Sequence, residues 1–352
     1  MASTDVAPQD MPDPAPVPAP GPPSYLPDTG WIVTRHSQVR DVLADSAYEV
    51  PAAAAGGPAG TIGWLRASVC RFANGDDHAR RRAVAVRELE LISPLALRED
   101  AGRRAHAALD AAAGAPSIDV MAGLARRVPM AALAAALGIA DADRAADAVR
   151  IVAAAYFPGA DAERERAADV ATAELARMLG PASEEVTAAR IGLLVQGCDA
   201  TAGLIGNAVY RVLEPARDQD PPCSTEAILA EVLRHDSPVR VSRRISREAA
   251  ELDGRRVPAG SVVLLRVDSA NRDPAVFEVP DRFDPGRGGQ LALTFGYGLR
   301  PCPGQSHALM LAAGVVQAVR DRCVAVCGPV EYEPPVNVRV PAKLEVTLRS
   351  RK

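Results

Sequence analysis

The chain has 352 residues, a formal net charge of -4 and 48% hydrophobic residues, long enough to bury a sizeable core in one large or two ordinary domains. A slightly acidic balance gives no reason to expect a nucleic-acid partner, and no apolar run approaches the roughly 18 residues of a membrane span. The N-terminus lacks the basic and apolar regions of a secretory signal, so a cytoplasmic chain with no membrane partner is expected.

Residues 1–28 contain Pro-Ala-Pro-Val-Pro-Ala-Pro and little that could pack, which predicts a disordered or extended leader. Trp31–Thr34 reads as a short strand leading into a helix around Ser37–Leu43, and 51–62 as an Ala/Gly/Pro-rich loop. From His78 to about Gly138 the apolar positions fall three or four apart, the spacing of packed helices. That pattern continues over Ile139–Glu185, with breaks at Pro158-Gly159 and Gly180-Pro181. Residues 186–214 form a long apolar helix that Gly197 should interrupt, and another helix covers Thr225–His235. Val257–Arg266 reads as a strand entered through a turn. A Gly/Pro-rich loop runs on to Gly304, then a helix to about Arg320, then strands. No repeat is visible. The expected fold is mainly α with a small β part, in a single domain over 29–352.

Six cysteines are scattered through the chain without a CxxC pair, so a zinc site is not indicated. Cys323 and Cys327 lie in an apolar stretch and are expected to pack in the core. Cys302 stands apart, within Phe295-Gly-Tyr-Gly-Leu-Arg-Pro-Cys-Pro-Gly304. Three glycines in those ten residues let the backbone curl tightly round one side chain. The helix that starts just afterwards points its positive end at the sulfur, which favours thiolate. Arg300 adds positive charge or a hold on an anionic cofactor edge. An ordinary Gly/Pro turn is the bland alternative.

This segment resembles the signature of the cytochrome P450 family, Phe-Gly-x-Gly-x-(Arg/His)-x-Cys-x-Gly. Further matches follow in the family's order: Glu231-Val-Leu-Arg234 with Arg282 as third member of a charged cluster, and Asn271-Arg-Asp-Pro274. The resemblance, from about Trp31 onwards, implies haem b with Cys302 as axial metal ligand. It places His78, Arg82 and Arg244 on the haem carboxylates, with Phe295, Arg300 and Gly197 also in the cofactor site. His78 and Arg82, four apart, share one helical face, while Arg80 and Arg81 should point elsewhere; taken alone, such a helix could equally be a solvated face. Pro303 has no N–H, so one hydrogen bond to the sulfur is absent and the thiolate should be slightly more electron-donating.

The sequence departs from the family in the helix expected above the haem. Where members usually carry Ala-Gly-x-(Asp/Glu)-Thr, it reads Gln196-Gly197-Cys198-Asp199-Ala200-Thr201. The acid is kept, and the threonine has become Ala200. Each helical step turns by about 100°, so Thr201 need not replace the lost hydroxyl. Asp199, Ala200, Thr201 and Gln196 are the candidate reaction-side residues. The region roofing the pocket is also short, which suggests an open pocket or a carrier-bound substrate. The leading expectation is oxidative tailoring of a small organic molecule in biosynthesis, using dioxygen and electrons from a separate ferredoxin-type donor, in a monomer. Peroxide-driven or redox-neutral chemistry such as N–O cleavage is the alternative, and a non-catalytic haem-binding protein a third.

Overall fold

The computed structural model describes residues 17–53, 56–214, 223–288, 291–334 and 337–349. Most of the expected leader, residues 1–16, lies outside them. Its end is ordered, because β1 (Ser24–Leu26) pairs antiparallel with β2 (Gly30–Val33). Gly21 N–H also donates to Thr34 Oγ1 at 2.9 Å. Backbone groups that find ladder partners need no apolar side chains to hold them, which is why a composition reading misses this edge.

After β2 come α1 (His36–Ala44) and β3 (Tyr48–Glu49), then α2 (Ile62–Ser68), α3 (Gly75–Glu90) and α4 (Pro94–Ala111). The two boundaries of α2 and α4 follow from caps: Thr61 Oγ1 accepts from Trp64 N–H and Ser93 Oγ from Ala96 N–H. β4 (Ser117–Asp119) and a π-turn at Met121–Ala125 interrupt what periodicity presents as continuous helix, and α5 (Val128–Ala136) resumes it. α6 (Ala142–Ala154) and α7 (Ala162–Met178) are separated at Pro158-Gly159, as expected. α8 (Glu184–Leu213) is 30 residues long and runs unbroken through Gly197. It does so because one glycine costs a helix only about 1 kcal/mol, while the residues on either side, Leu194, Val195 and Cys198, are buried.

α9 (Thr225–His235) is followed by β5 (Val241–Ser246), β6 (Ala250–Leu252), β7 (Arg255–Val257) and β8 (Val262–Arg266). The strand expected to be entered through a turn within 257–266 is β8, and the turn lies at Gly260, whose φ is +79°; Val257 itself ends β7. A four-residue helix, α10 (Val267–Ala270), precedes the glycine-rich loop, and α11 (Gln305–Arg322) ends it. β9 (Cys323–Val326), β10 (Glu331–Tyr332), β11 (Pro341–Lys343) and β12 (Glu345–Leu348) complete the chain.

The main sheet has the order β1-β2-β8-β5-β3, with β2 and β8 parallel. A second sheet, β4-β12-β9, closes the far side. The large core packs α4, α5 and α8 against α11, with α6 laid on α5 and α8, and a separate small core lies between α1 and the main sheet. Cys323 is in the large core at 1% exposure; Cys327 is exposed and bonded to Thr347 Oγ1, so the apolar stretch buries only one of the two. No helix among the described residues is long and apolar enough to cross a membrane.

One polar cluster sits inside this framework. Arg234, 0% exposed, donates to both oxygens of Glu231 at 2.9 and 2.6 Å, and to the carbonyls of Asn271, Pro280 and Arg282. Asp284 N–H gives Glu231 a further bond at 2.8 Å. The third arginine is Arg287, whose Nε lies 3.7 Å from Glu231, and not Arg282. Arg282 contributes its carbonyl, while its side chain pairs with Asp284 at the surface.

Candidate active site

Between α3, α8 and the Cys302 loop lies a cavity of about 380 Å³. The loop is shaped by two backbone demands. Gly298 has φ +66°, and a Cβ there would stand 2.6 Å from Ala44 Cα, so only glycine lets the loop settle on α1. Cys302 N–H donates to Phe295 O at 2.7 Å, closing the curl. Arg300 then donates to Ala73 O and Asn74 Oδ1 at 2.6 and 2.9 Å, tying the loop to the start of α3. At the other end His307 Nε2 lies 3.1 Å from the carbonyl oxygens of Leu89 and Ile92. The loop and α3 therefore form one fixed wall.

Cys302 opens on to the cavity from this wall, and His78, Arg82, Arg300 and Phe295 line it alongside. Arg244, on β5, completes the same side, donating to Ser242 Oγ and Arg243 O. Gln196, Gly197, Asp199, Ala200 and Thr201 line the opposite side from α8. All eleven sequence-predicted residues thus meet at one cavity. The helical-face argument for α3 holds for Arg80, which pairs with Asp77 and Glu185. It fails for Arg81, which pairs with Asp77 yet also lines the cavity. A cavity wall that wraps round α3 takes in more than one narrow stripe.

The electrostatics of the wall are one-sided. Arg71, Arg82, Arg244 and Arg300 face the cavity, and among the described residues none has a carboxylate within ion-pair distance. Burial, then the neighbouring Arg71 and Arg300, pushes Arg244 down to about 10. Burial, then Arg300 and Arg82, pushes His78 down to about 4. Buried cations without counter-charges are costly, and two carboxylates on a flat cofactor are the complement. Burial raises the Cys302 thiol above its ordinary range despite a hydrogen bond from Gly304 N–H and the charge of Arg82. The helix end alone therefore does not make the thiolate; metal ligation would have to draw the proton off. Gly304 N–H also reaches the sulfur although Pro303 cannot.

On the α8 side, Gln196 Nε2 donates back to Gly192 O at 3.0 Å. Asp199 is raised by burial, opposed by Arg126 and by its bond to Cys198. Ala200 and Thr201 both touch the cavity, with Thr201 at 2% exposure. Sequence reasoning missed Arg71 and Tyr156, which also line this space.

Comparison with known proteins agrees with this geometry. The family model for cytochrome P450 matches residues 224–316. The cytochrome P450 CYP105Q4 of Mycobacterium marinum is 30% identical over 80% of this chain and 76% of its own. The cytochrome P450 monooxygenase PikC of Streptomyces venezuelae is 27% identical over 84% of this chain and 78% of its own. Among solved structures, P450BioI bound to an acyl carrier protein ligated with hexadec-9Z-enoic acid superposes with a TM-score of 0.79, at 21% identity, over 91% of this chain and 92% of that one. The fold is that of a haem-thiolate oxidoreductase. The chain belongs to the cytochrome P450 family, whose cofactor is haem b.

Proposed function

We propose that this enzyme oxidatively tailors a small organic molecule in a biosynthetic pathway, with haem held through Cys302 and electrons supplied by a separate ferredoxin-type donor. The observation that carries the reading is the pairing of the Cys302 loop with four cations that lack an acid partner across one cavity. Haem bound through a thiolate supplies an electron-rich iron suited to O–O cleavage. His78, Arg82, Arg244 and Arg300 hold its carboxylates and fix its orientation. Asp199, kept protonated to higher pH by burial, is a proton store on the α8 side. Thr201 lines the same side one helical step on from Ala200, so its hydroxyl does not occupy the position of the one Ala200 lacks.

Support from relatives is of the same kind: PikC is a monooxygenase, and P450BioI takes an acyl chain on a carrier. A carrier-bound substrate is the variant favoured by the short five-residue link, 179–183, between α7 and α8, which leaves a compact roof.

The test is the spectrum of the dithionite-reduced protein with carbon monoxide, beside Cys302→Ala. A thiolate-type Soret band that the variant loses is the expected result; a band typical of histidine or neutral ligation overturns the reading. Ala200 motivates a second reading, redox-neutral or peroxide-driven chemistry. Product formed anaerobically without a donor would establish it, and restoration of donor-dependent turnover by Ala200→Thr would sink it.

A further inference from the structure

The π-turn and the start of α5 bring a cation to the reaction side of α8. A Cβ at Gly206 would stand 2.6 Å from Met121 Sδ, and one at Gly197 would stand 3.5 Å from Met130 Cε. The segment 121–130 therefore runs antiparallel along α8, from Gly206 back to Gly197. Arg126, between these two contacts, comes out beside Asp199 and is its leading charged neighbour.

Arg126 is held from the other side. Its Nη2 donates to Glu333 Oε1 at 2.5 Å and to Pro341 O at 3.4 Å. Glu333 is fixed in turn by its N–H, which donates to Val340 O at 2.9 Å. The arginine side chain is 17% exposed and the glutamate 43%, so the pair reaches from the interior to the surface. Among the described residues no hydrogen bond or ion pair joins Arg126 to Asp199, whose carboxyl is bonded to Cys198 instead. One guanidinium thus adjoins two carboxyls and is bonded to only one of them. The other groups near Asp199 are Cys198 beside it on α8 and Arg150 of α6, which acts on Cys198. The arginines of the Cys302 wall lie across the cavity.

We propose that Glu333 is a positioning residue for the acid of α8: it holds Arg126 off Asp199, so that Asp199 keeps a proton to deliver into the cavity. Asp199 lines the cavity, whereas Arg126 and Glu333 do not, so Glu333 acts only through the arginine. Giving up the proton leaves the Asp199 carboxylate, and water returns the next one. With Glu333 drawn away, Arg126 would turn to Asp199 and stabilise its carboxylate. Burial, which favours the protonated acid, would then be outweighed and the proton store left empty. This inference rests on the haem-thiolate reading above and on Asp199 as its proton store.

The experiment is an infrared pH titration of the haem-loaded protein. It reads the carbonyl stretch of the protonated Asp199 carboxyl, by difference from Asp199→Asn. The carbon monoxide spectrum is recorded first on each preparation. Glu333→Gln should lower the proton affinity of Asp199 at least ~10-fold, the effect of one new arginine contact, with haem content unchanged. Arg126→Met, which keeps an apolar stem and removes the charge, should raise that affinity. In the Arg126→Met background, Glu333→Gln should have no further effect, because its route is gone. An unchanged affinity in Glu333→Gln overturns the proposal whatever Arg126→Met does. An equal fall in both backgrounds overturns it too, since the glutamate would then act by its own charge. A carboxyl that is never protonated while the thiolate band is present also overturns it and leaves the haem-thiolate reading standing. A missing thiolate band in the wild type removes both readings together.

Discussion

Arg234 and Arg244 are both buried arginines, at 0% and 6% exposure, yet their surroundings are opposite. Every arm of Arg234 is answered: two carboxylate oxygens of Glu231 and three backbone carbonyls from the 271–282 stretch. Arg244 has a hydroxyl and one carbonyl, no acid, and two further arginines close enough to lower its pKa. A satisfied buried charge is architecture, since it fixes how α9 meets the loop. An unsatisfied one marks a place kept for a ligand, because evolution has no structural reason to leave several cations facing one another. The comparison separates residues that hold the fold from residues that hold the cofactor, although both are arginines in the same core.

The largest effect should follow from breaking the satisfied side. Glu231→Gln keeps the shape but leaves Arg234 charged and fully enclosed, a loss of about 3–5 kcal/mol. Chemical denaturation should show the unfolding free energy fall by that amount, with or without haem. A change under about 1 kcal/mol would mean the cluster is not the architectural element described. Arg244→Gln should do the reverse. The apoprotein should be as stable as the wild type or slightly more so, because a like-charge contact is relieved. Haem affinity should drop at least ~10-fold, read by haem transfer to an acceptor protein. Equal haem affinity would remove Arg244 from the cofactor site.

A smaller effect separates two acids. Asp236 is buried, which opposes ionisation, but hydrogen bonds from His235 and Arg211 prevail and hold its carboxyl well below the usual range. Its folded pKa is depressed, so its stabilisation is present at neutral pH and is lost as pH falls below about 4. Asp199 is displaced the other way, raised by burial with only partial relief from Arg126. The folded form then binds a proton more readily than the unfolded one, and stability declines as pH rises above the ordinary carboxylate range. Asp199→Asn should therefore stabilise the apoprotein at pH 7, and the gain should vanish near pH 4. Asp236→Asn should destabilise it at pH 7. Denaturation midpoints at the two pH values check both signs.

Much of this was legible in the sequence, and for identifiable reasons. The Cys302 loop is readable because its glycines are required by local backbone geometry, which leaves a fixed mark at fixed spacing. α9 and α11 are readable because their apolar periodicity and their boundaries agree. β1 was hidden because its residues are exposed and its stability comes from backbone pairing. The interruption by β4 and the π-turn was hidden because the pairing partner of β4 is β12, far away in the chain. Arg71 and Tyr156 escaped for the same cause: they come to line one cavity only when the chain after α6 folds back over the turn after α2.

Arg282 is the most instructive failure, and it carries the smallest predicted effect. As the arginine of a Pro-Asp-Arg-Phe run it reads as the third member of the buried cluster. Its side chain is instead 64% exposed and paired to Asp284, whereas Arg287 is 16% exposed and reaches Glu231. The path of the loop decides this: Asp284 Oδ1 accepts from Gly286 N–H and Gly288 takes φ +83°, a turn that folds Arg287 inward over Glu231. Exposed ion pairs contribute little, so Arg282→Ala should change stability by less than about 0.5 kcal/mol. Arg287→Ala removes a cation from a buried carboxylate that already serves Arg234, and should cost more, about 1–2 kcal/mol. Denaturation of the two variants side by side gives the order. If Arg282→Ala proved the more damaging, the exposed arginine would have an inward role that its pairing with Asp284 does not explain, and the separation of satisfied from unsatisfied arginines would have to be redrawn around it.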